Sequence, residues 1–417
     1  MAGGVAAALS LALLTSCTAG TATPAGITDI PALIAAPAAQ PSLDALAALR
    51  DFSLNLFGKV LENNPTNDSP SNIAFSPLSA WLALGAAGAG ARGDTAAAFE
   101  SLFGVPQDEV NRDALYVMQN LDPKILAVAN ALFSDATRIK LNKDFQQTAG
   151  QYYGAGVWNV DFGAPKKTAD LVNAWIADRT HQLIDDLVDP DTIDPAEVLM
   201  IVNTLYFKAD WVTPFMPDLT QDAPFNRADG QQSTASYMTM PMGQQFVFND
   251  PDGAVGVVLP YVSSSPGANS RYAFVAAMPN TDAAIHLDGL TISTWFAQAT
   301  MQPVDLMLPK LEITTKTDLK DLLTSLGLGI AFTDKADFSG IGGPDPLKIG
   351  EVKQKAVVKV NEAGTEAAAA TEVGILAGSA QITDPVVVHF DRPYIYAIVD
   401  TVTQVPLFLG YVRDAGA

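Results

Sequence analysis

The chain has 417 residues, 48% of them hydrophobic, enough to bury a large core in one or two domains. With 45 acidic against 24 basic side chains and a formal charge of -21, nucleic acid and other polyanions are excluded as partners, because they are repelled instead of releasing counterions. A single cysteine rules out an intrachain disulfide and any zinc site built from thiolates.

That cysteine stands at the end of an apolar leader. Residues 1–16 are mostly Ala, Leu and Val and run into Leu14-Thr15-Ser16-Cys17, which resembles the lipobox at which bacterial lipoproteins are cleaved and acylated. The resemblance implies a signal peptide over 1–16, lipidation of Cys17, and an extracellular or cell-surface location in a bacterium with a membrane tether. The n-region departs from this pattern in having no Lys or Arg, so a plain hydrophobic leader or short helix is the alternative. The run is too short to span a bilayer, which takes about 20 apolar residues. Residues 17–41 are rich in Ala, Pro and Thr with almost no charge and read as a tether ahead of one domain over 42–417.

Ser42 is placed to cap a helix that turns Leu46, Leu49, Phe52, Leu56 and Val60 inward, and Pro65 and Pro70 end it. A brief strand over 72–75 follows, and then Ser76 as N-cap with Pro77 at the first helical position opens a second helix. Gly88 to Gly93 spells GxGxxG, but a helix precedes it where the dinucleotide fingerprint needs a strand, so it reads as a helix-helix turn. A strand is expected over 128–133 and helices over 143–153 and 169–187, the last with Leu171, Trp175, Ile176, Leu183 and Leu187 inward. The acids Asp185, Asp186, Asp189 and Asp191 read as solvated surface. Residues 198–211 are too continuously apolar for an edge and suit a central strand. Alternating runs over 236–240, 255–261, 272–278 and 304–313 are further strands, and 317–326 is a helix. Helices gather early and strands late, an α+β layout rather than βαβ repetition. His181, His286 and His389 lie far apart without ligand spacing, and no nucleophile elbow, S-x-x-K pair or phosphate loop is present. The expectation is therefore no enzyme, no cofactor and no metal.

Residues 351–391 organise the rest. An alternating strand carrying Val352, Val358 and Val360 reaches a turn at Asn361-Glu362-Ala363-Gly364. Beyond it, four alanines favour helix while Thr365, Thr371, Val373 and Ile375 favour strand. Read at period two, one face carries Thr365, Ala367, Ala369, Thr371, Val373 and Ile375, and the other Glu366, Ala368, Ala370 and Glu372. Small inward side chains would let this segment slide between two strands already in place. A flexible Ala/Gly loop is the other reading.

KAVVKVNEAGTEAAAATE over 355–372 resembles the hinge of serpins, and FDRPYIYAIVD over 390–400 with VPLFLGYVRD over 405–414 resembles the paired strands that follow their reactive loop. The likeness runs from about Leu43 to Asp414. It implies a serpin fold, with a large central, mostly antiparallel sheet, smaller sheets, eight or nine helices and an exposed reactive-centre loop at about 362–385. It further implies a monomeric serine-protease inhibitor that acts as a suicide substrate, the cleaved loop inserting as a strand and trapping the acyl-enzyme. Glu362, Gly364, Thr365, Glu366, Ala367, Ala368, Ala369 and Ala370 fill the hinge pattern, and Gly364 is expected to supply the unusual backbone angles of a pivot. The scissile bond falls among Leu376, Ala377, Gly378, Ser379, Ala380, Ile382 and Thr383. No Lys or Arg lies between Glu372 and His389, which points to an elastase-, chymotrypsin- or subtilisin-like target preferring small or aliphatic residues. Ser76, Ser79, Asn203, Trp211 and Gln354 match positions where such sheets open. Gln354 stands where many relatives have histidine, and Ile330 is read as replacing a lysine that pairs with the hinge glutamate. A non-inhibitory binding or interaction protein at the cell surface, on the same fold, is the alternative function.

Overall fold

A computed structural model describes residues 43–64, 71–250, 253–265, 267, 268, 270–279, 287–289, 291–343, 347–350, 352–366 and 384–417. The signal peptide, Cys17, the tether, the Ser42 cap, Ala367 to Ala370 and the scissile candidates Leu376 to Thr383 lie outside the described residues. Eight α-helices are described: α1 (Leu43–Asn63), α2 (Pro77–Gly88), α3 (Gly93–Phe103), α4 (Gln107–Asn120), α5 (Lys143–Tyr153), α6 (Pro165–Arg179), α7 (Thr291–Gln298) and the short α8 (Lys320–Leu323). The strands are β1 (Ile73–Phe75), β2 (Leu126–Ser134), β3 (Gly156–Asn159), β4 (Leu199–Phe207), β5 (Ala209–Asp210), β6 (Gln221–Asn226), β7 (Gln232–Asp250), β8 (Ala254–Pro260), β9 (Tyr272–Pro279), β10 (Thr300–Pro309), β11 (Leu311–Asp318), β12 (Lys353–Val360), β13 (Gly364–Thr365), β14 (Val386–His389), β15 (Tyr394–Asp400) and β16 (Pro406–Val412). This is the α+β layout expected from the sequence.

One sheet runs β1-β16-β15-β9-β8-β7-β10-β14, with β6 added to β7. The central sheet comes in two parts, β3-β2-β4 and β5-β13-β12-β11. Lys208 alone separates β4 from β5, so the parts are one sheet joined at the end that carries β13, here called the upper end. Along their lower lengths, among the described residues, β4 pairs only with β2 and β12 only with β11.

The continuous apolar character of β4 follows from cover on both faces. Beneath it lies α2, buried at every residue except Ala83, capped by Ser76 and started by Pro77. Above it lies α6, whose Val172, Trp175 and Ile176 pack with Phe133 and Val202, the Trp175 ring meeting Phe133 edge-on at 5.7 Å. The helix stops at Arg179, eight residues earlier than the apolar period suggested. His181 and Gln182 take left-handed backbone angles (φ 50° and 66°) and turn the chain into a strap over 183–198. Leu187, Val188 and Ile193 of the strap line the inside of the molecule, which is why the hydrophobic period outlasts the helix. Strand β11 likewise runs into the expected 317–326 helix as far as Asp318, and Gly327 (φ 98°) breaks the helical path beyond α8.

Candidate functional site

The turn after β12 is held by its own side chain. Asn361 Oδ1 accepts the backbone N–H groups of Ala363 (3.0 Å) and Gly364 (3.2 Å), an Asx turn that folds the chain back along β12. Gly364 and Thr365 then enter between β12 and β5, Thr365 lying opposite Val360 on one side and Ala209 on the other. Gly364 is required here for a reason other than the pivot angles expected of it. Its φ is not positive; instead a Cβ would stand 2.1 Å from the Ala209 carbonyl oxygen. Thr365 points inward, 2% exposed, and its hydroxyl shares a 2.6 Å hydrogen bond with the Tyr261 hydroxyl. Burial pushes the Tyr261 phenol far above its ordinary range, so this partner is neutral.

Trp211 forms the floor of the turn. Its ring stacks on Tyr261 (4.5 Å, 13°), its Nε1 donates to Asn361 O (2.9 Å), and its backbone N–H donates to Ala363 O (2.8 Å). Phe215 N–H donates to Glu362 O (2.9 Å). The Glu362 carboxylate accepts from Thr220 Oγ1 (2.8 Å) and pairs with Lys310 Nζ (3.1 Å). Burial opposes its ionisation, but backbone and side-chain hydrogen bonds and the Lys310 charge outweigh burial and hold its pKa below the ordinary value. The reading of Ile330 is thereby corrected. A lysine does pair with the hinge glutamate, but it is Lys310, at the β10–β11 corner, whereas Ile330 lies in a 3-10 turn (Gly329–Phe332) packed beside α3.

Below the hinge no strand lies between β4 and β12 among the described residues. A cavity of about 680 Å³ separates β4 from β12 and is lined by Ser76, Ser79, Asn203 and Gln354 among others. Gln354 is 8% exposed and bonds both backbone groups of one residue, its Oε1 accepting Ser76 N–H (2.8 Å) and its Nε2 donating to Ser76 O (2.8 Å). Ser76 Oγ donates to Leu407 O (2.8 Å) and accepts from Ser79 N–H (3.3 Å). Asn203 Nδ2 donates to Asn130 Oδ1 (2.7 Å), and its buried Oδ1 has no partner among the described residues. The structure thus gathers four of the five sheet-opening candidates at the cavity and places the fifth, Trp211, under the hinge.

The strap crosses this opening from the α6 side. Asp186 accepts from Lys316 Nζ through its carboxylate (2.8 Å) and backbone carbonyl (2.9 Å), and it also pairs with Lys355. The Lys316 and Lys355 hydrogen bonds lower its pKa to about 2. Asp186 is exposed, as expected of a solvated acid, and in addition holds a specific ion pair with Lys316 and Lys355. Tyr261, Thr220, Lys310 and this ion pair were all missed in the sequence. Among the described residues no group of three or more His, Cys, Asp or Glu could hold a metal ion.

These features define a class: an α+β protein whose main sheet is parted at its middle and already admits the start of a further strand. A family model described as serpin (serine protease inhibitor) matches residues 47–415. The chain belongs to the serpin family. It is 32% identical over 375 residues to Iripin-4 of Ixodes ricinus, with 85% of this chain and 91% of that one covered. The thermophilic serpin tengpin in its native state is similar with a TM-score of 0.81 at 28% identity, over 92% of this chain and 97% of that one. In tengpin's latent state the TM-score is 0.72 at 27% identity, over 88% and 97%. Thyroxine-binding globulin in complex with thyroxine is similar with a TM-score of 0.76 at 25% identity, over 90% and 100%.

Proposed function

We propose that this serpin inhibits serine proteases as a suicide substrate, its cleaved loop entering the central sheet as a strand between β4 and β12. The observation that carries the reading is the seating of Gly364 and Thr365 between β12 and β5 directly above the open cavity. Unpaired edges of β4 and β12 are a template for pairing, and a strand laid between them satisfies backbone groups on both sides. A protease serine attacks a loop carbonyl, an acyl-enzyme forms, and insertion carries the enzyme away from the seat. Distortion of its oxyanion hole then slows deacylation. The intact molecule is held above the inserted one by a kinetic barrier.

The targets proposed are elastase-, chymotrypsin- or subtilisin-like enzymes, since the span from Glu372 to His389 has no basic residue. A secreted or surface-tethered location through an acylated Cys17 in a bacterium is proposed from the leader alone. Incubation of the purified protein with a protease panel, followed by denaturing gels, tests the inhibitor reading. A stable covalent band supports it; clean nicking of the loop with no band, and no gain in heat resistance afterwards, favours a binding protein on the same fold.

A further inference from the structure

Strand β13 ends at Thr365, and the next residue shows why. Glu366 N–H still donates to Lys359 O (3.0 Å), continuing the ladder by one bond. Its φ, however, is 54°, outside the extended strand region and a strained conformation for a residue with a Cβ. Tyr206 of β4 lies two positions before Lys208 and so on the same face of the sheet, where its phenol feels the Glu366 carboxylate, and its ring lies against the His181 imidazole with centroids 4.7 Å apart. Burial first, and the Glu366 carboxylate second, push the Tyr206 phenol up to about 12, so it serves as a neutral donor.

The register states where the same side chain goes if the strand lengthens. Thr365 lies opposite Val360 and Ala209, so an extended Glu366 lies between Lys359 on β12 and Lys208 at the β4–β5 junction. Val358, Val360, Phe207 and Ala209 belong to the core under the sheet, which puts both lysines on the other face, where Glu366 would point. Lys208 is exposed, and Lys359 pairs with Glu312 at 2.7 Å. Cross-strand opposite charges in direct register are mutually stabilising.

We propose that Glu366 is a positioning residue for loop insertion, its carboxylate passing from the Tyr206 hydroxyl to the ammonium groups of Lys208 and Lys359 as the residue relaxes into strand conformation. Tyr206 is the waiting place and the two lysines are the destination. This rests on the insertion mechanism proposed above. Nothing in it requires a group beyond the chain itself.

The test is stopped-flow insertion after loop cleavage, followed by intrinsic tryptophan fluorescence, together with the yield of covalent band against an elastase-like protease. Lys208→Ala with Lys359→Ala slows insertion about three- to tenfold and raises the share of nicked inhibitor, and the difference shrinks in 1 M salt. Tyr206→Phe acts oppositely, speeding insertion about two- to fivefold. Lys359→Gln alone, the milder change, falls between parent and double variant. Should the double variant and Tyr206→Phe both insert at the parental rate, the proposal is overturned while the inhibitor reading stands. A parent that forms no covalent band and gains no heat resistance on cleavage overturns both.

Discussion

The two ends of the central sheet are built on opposite principles. At the upper end, 361–365 are fixed by the Asx turn, Trp211, Phe215, Lys310, Thr220 and Tyr261, contributed by segments up to 152 residues away in the chain, from Trp211 to Ala363. Lower down, β4 and β12 face one another across the cavity with no strand between them among the described residues. A native protein normally covers or blunts an unpaired strand edge. Here the chain seals the gap where the hinge begins and leaves it open beyond, so the sealed end behaves as the starting point of a zipper whose remaining teeth are in place. The strap adds a tie across the opening, with Asp186 on one side and Lys316 and Lys355 on the other.

The largest effect is expected where the seal itself is broken. Thr365→Arg puts a cation into a position that is 2% exposed and faces the Tyr261 hydroxyl, without an acid to receive it. Burying an unpaired charge costs on the order of 3–5 kcal/mol, more than a two-residue strand returns. The side chain therefore turns outward, the hinge leaves the sheet, and the variant is consumed as a substrate. Denaturing gels should show loss of the covalent band and quantitative nicking; a variant that inhibits like the parent would falsify the seat described for Thr365.

A smaller effect is expected at Glu362, which holds the seal from its polar side. Its folded-state pKa lies below the ordinary 4.5, so its contribution is fully present above pH 4.5 and is lost as pH falls through the depressed value. Lys310 is 43% exposed, and solvent screening limits the pair to about 1 kcal/mol or less. Glu362→Gln should accordingly make the Gly364 and Thr365 amides exchange with deuterium a few-fold faster at pH 7. The difference between the two proteins should shrink progressively as pH is lowered below 4.5. Equal protection at pH 7 would show that the hydrogen bonds of Trp211 and Phe215 hold the turn unaided.

What could be read in the sequence was local. The Ser76-Pro77 start of α2 is a matter of adjacent residues, and so is the small, alternating face that begins at Thr365. Gly364 was found because glycine beside a turn is conspicuous, yet the cause is contact with Ala209, 155 positions earlier in the chain. Lys310 and Tyr261 carried no signal, since pairing across 52 and 104 residues is fixed by the fold. The end of α6 was misplaced because the strap buries apolar side chains at nearly helical spacing. Asp186 was passed over because neighbouring acids in a chain of charge -21 are usually solvated, and only the fold brings Lys316 and Lys355 to it.

The smallest effect is expected at the lower end of the sheet. Gln354 joins both backbone groups of Ser76 without titrating, so this contact contributes equally at pH 5.5 and 7.5. Gln354→His keeps one donor and one acceptor on the two ring nitrogens, and its unfolding midpoint should lie near that of the parent at pH 7.5. The site is 8% exposed, and burial disfavours the charged imidazole, so its folded pKa falls below the unfolded value of about 6.5. The unfolded chain then binds the extra proton, and stability drops as pH falls below 6.5, by at most about 1.4 kcal/mol per unit. Urea unfolding of both proteins at the two pH values measures this directly. A variant with the parent's pH dependence would mean that the imidazole turns into the cavity and reaches water, which would make the cleft wetter at Gln354 than its burial indicates.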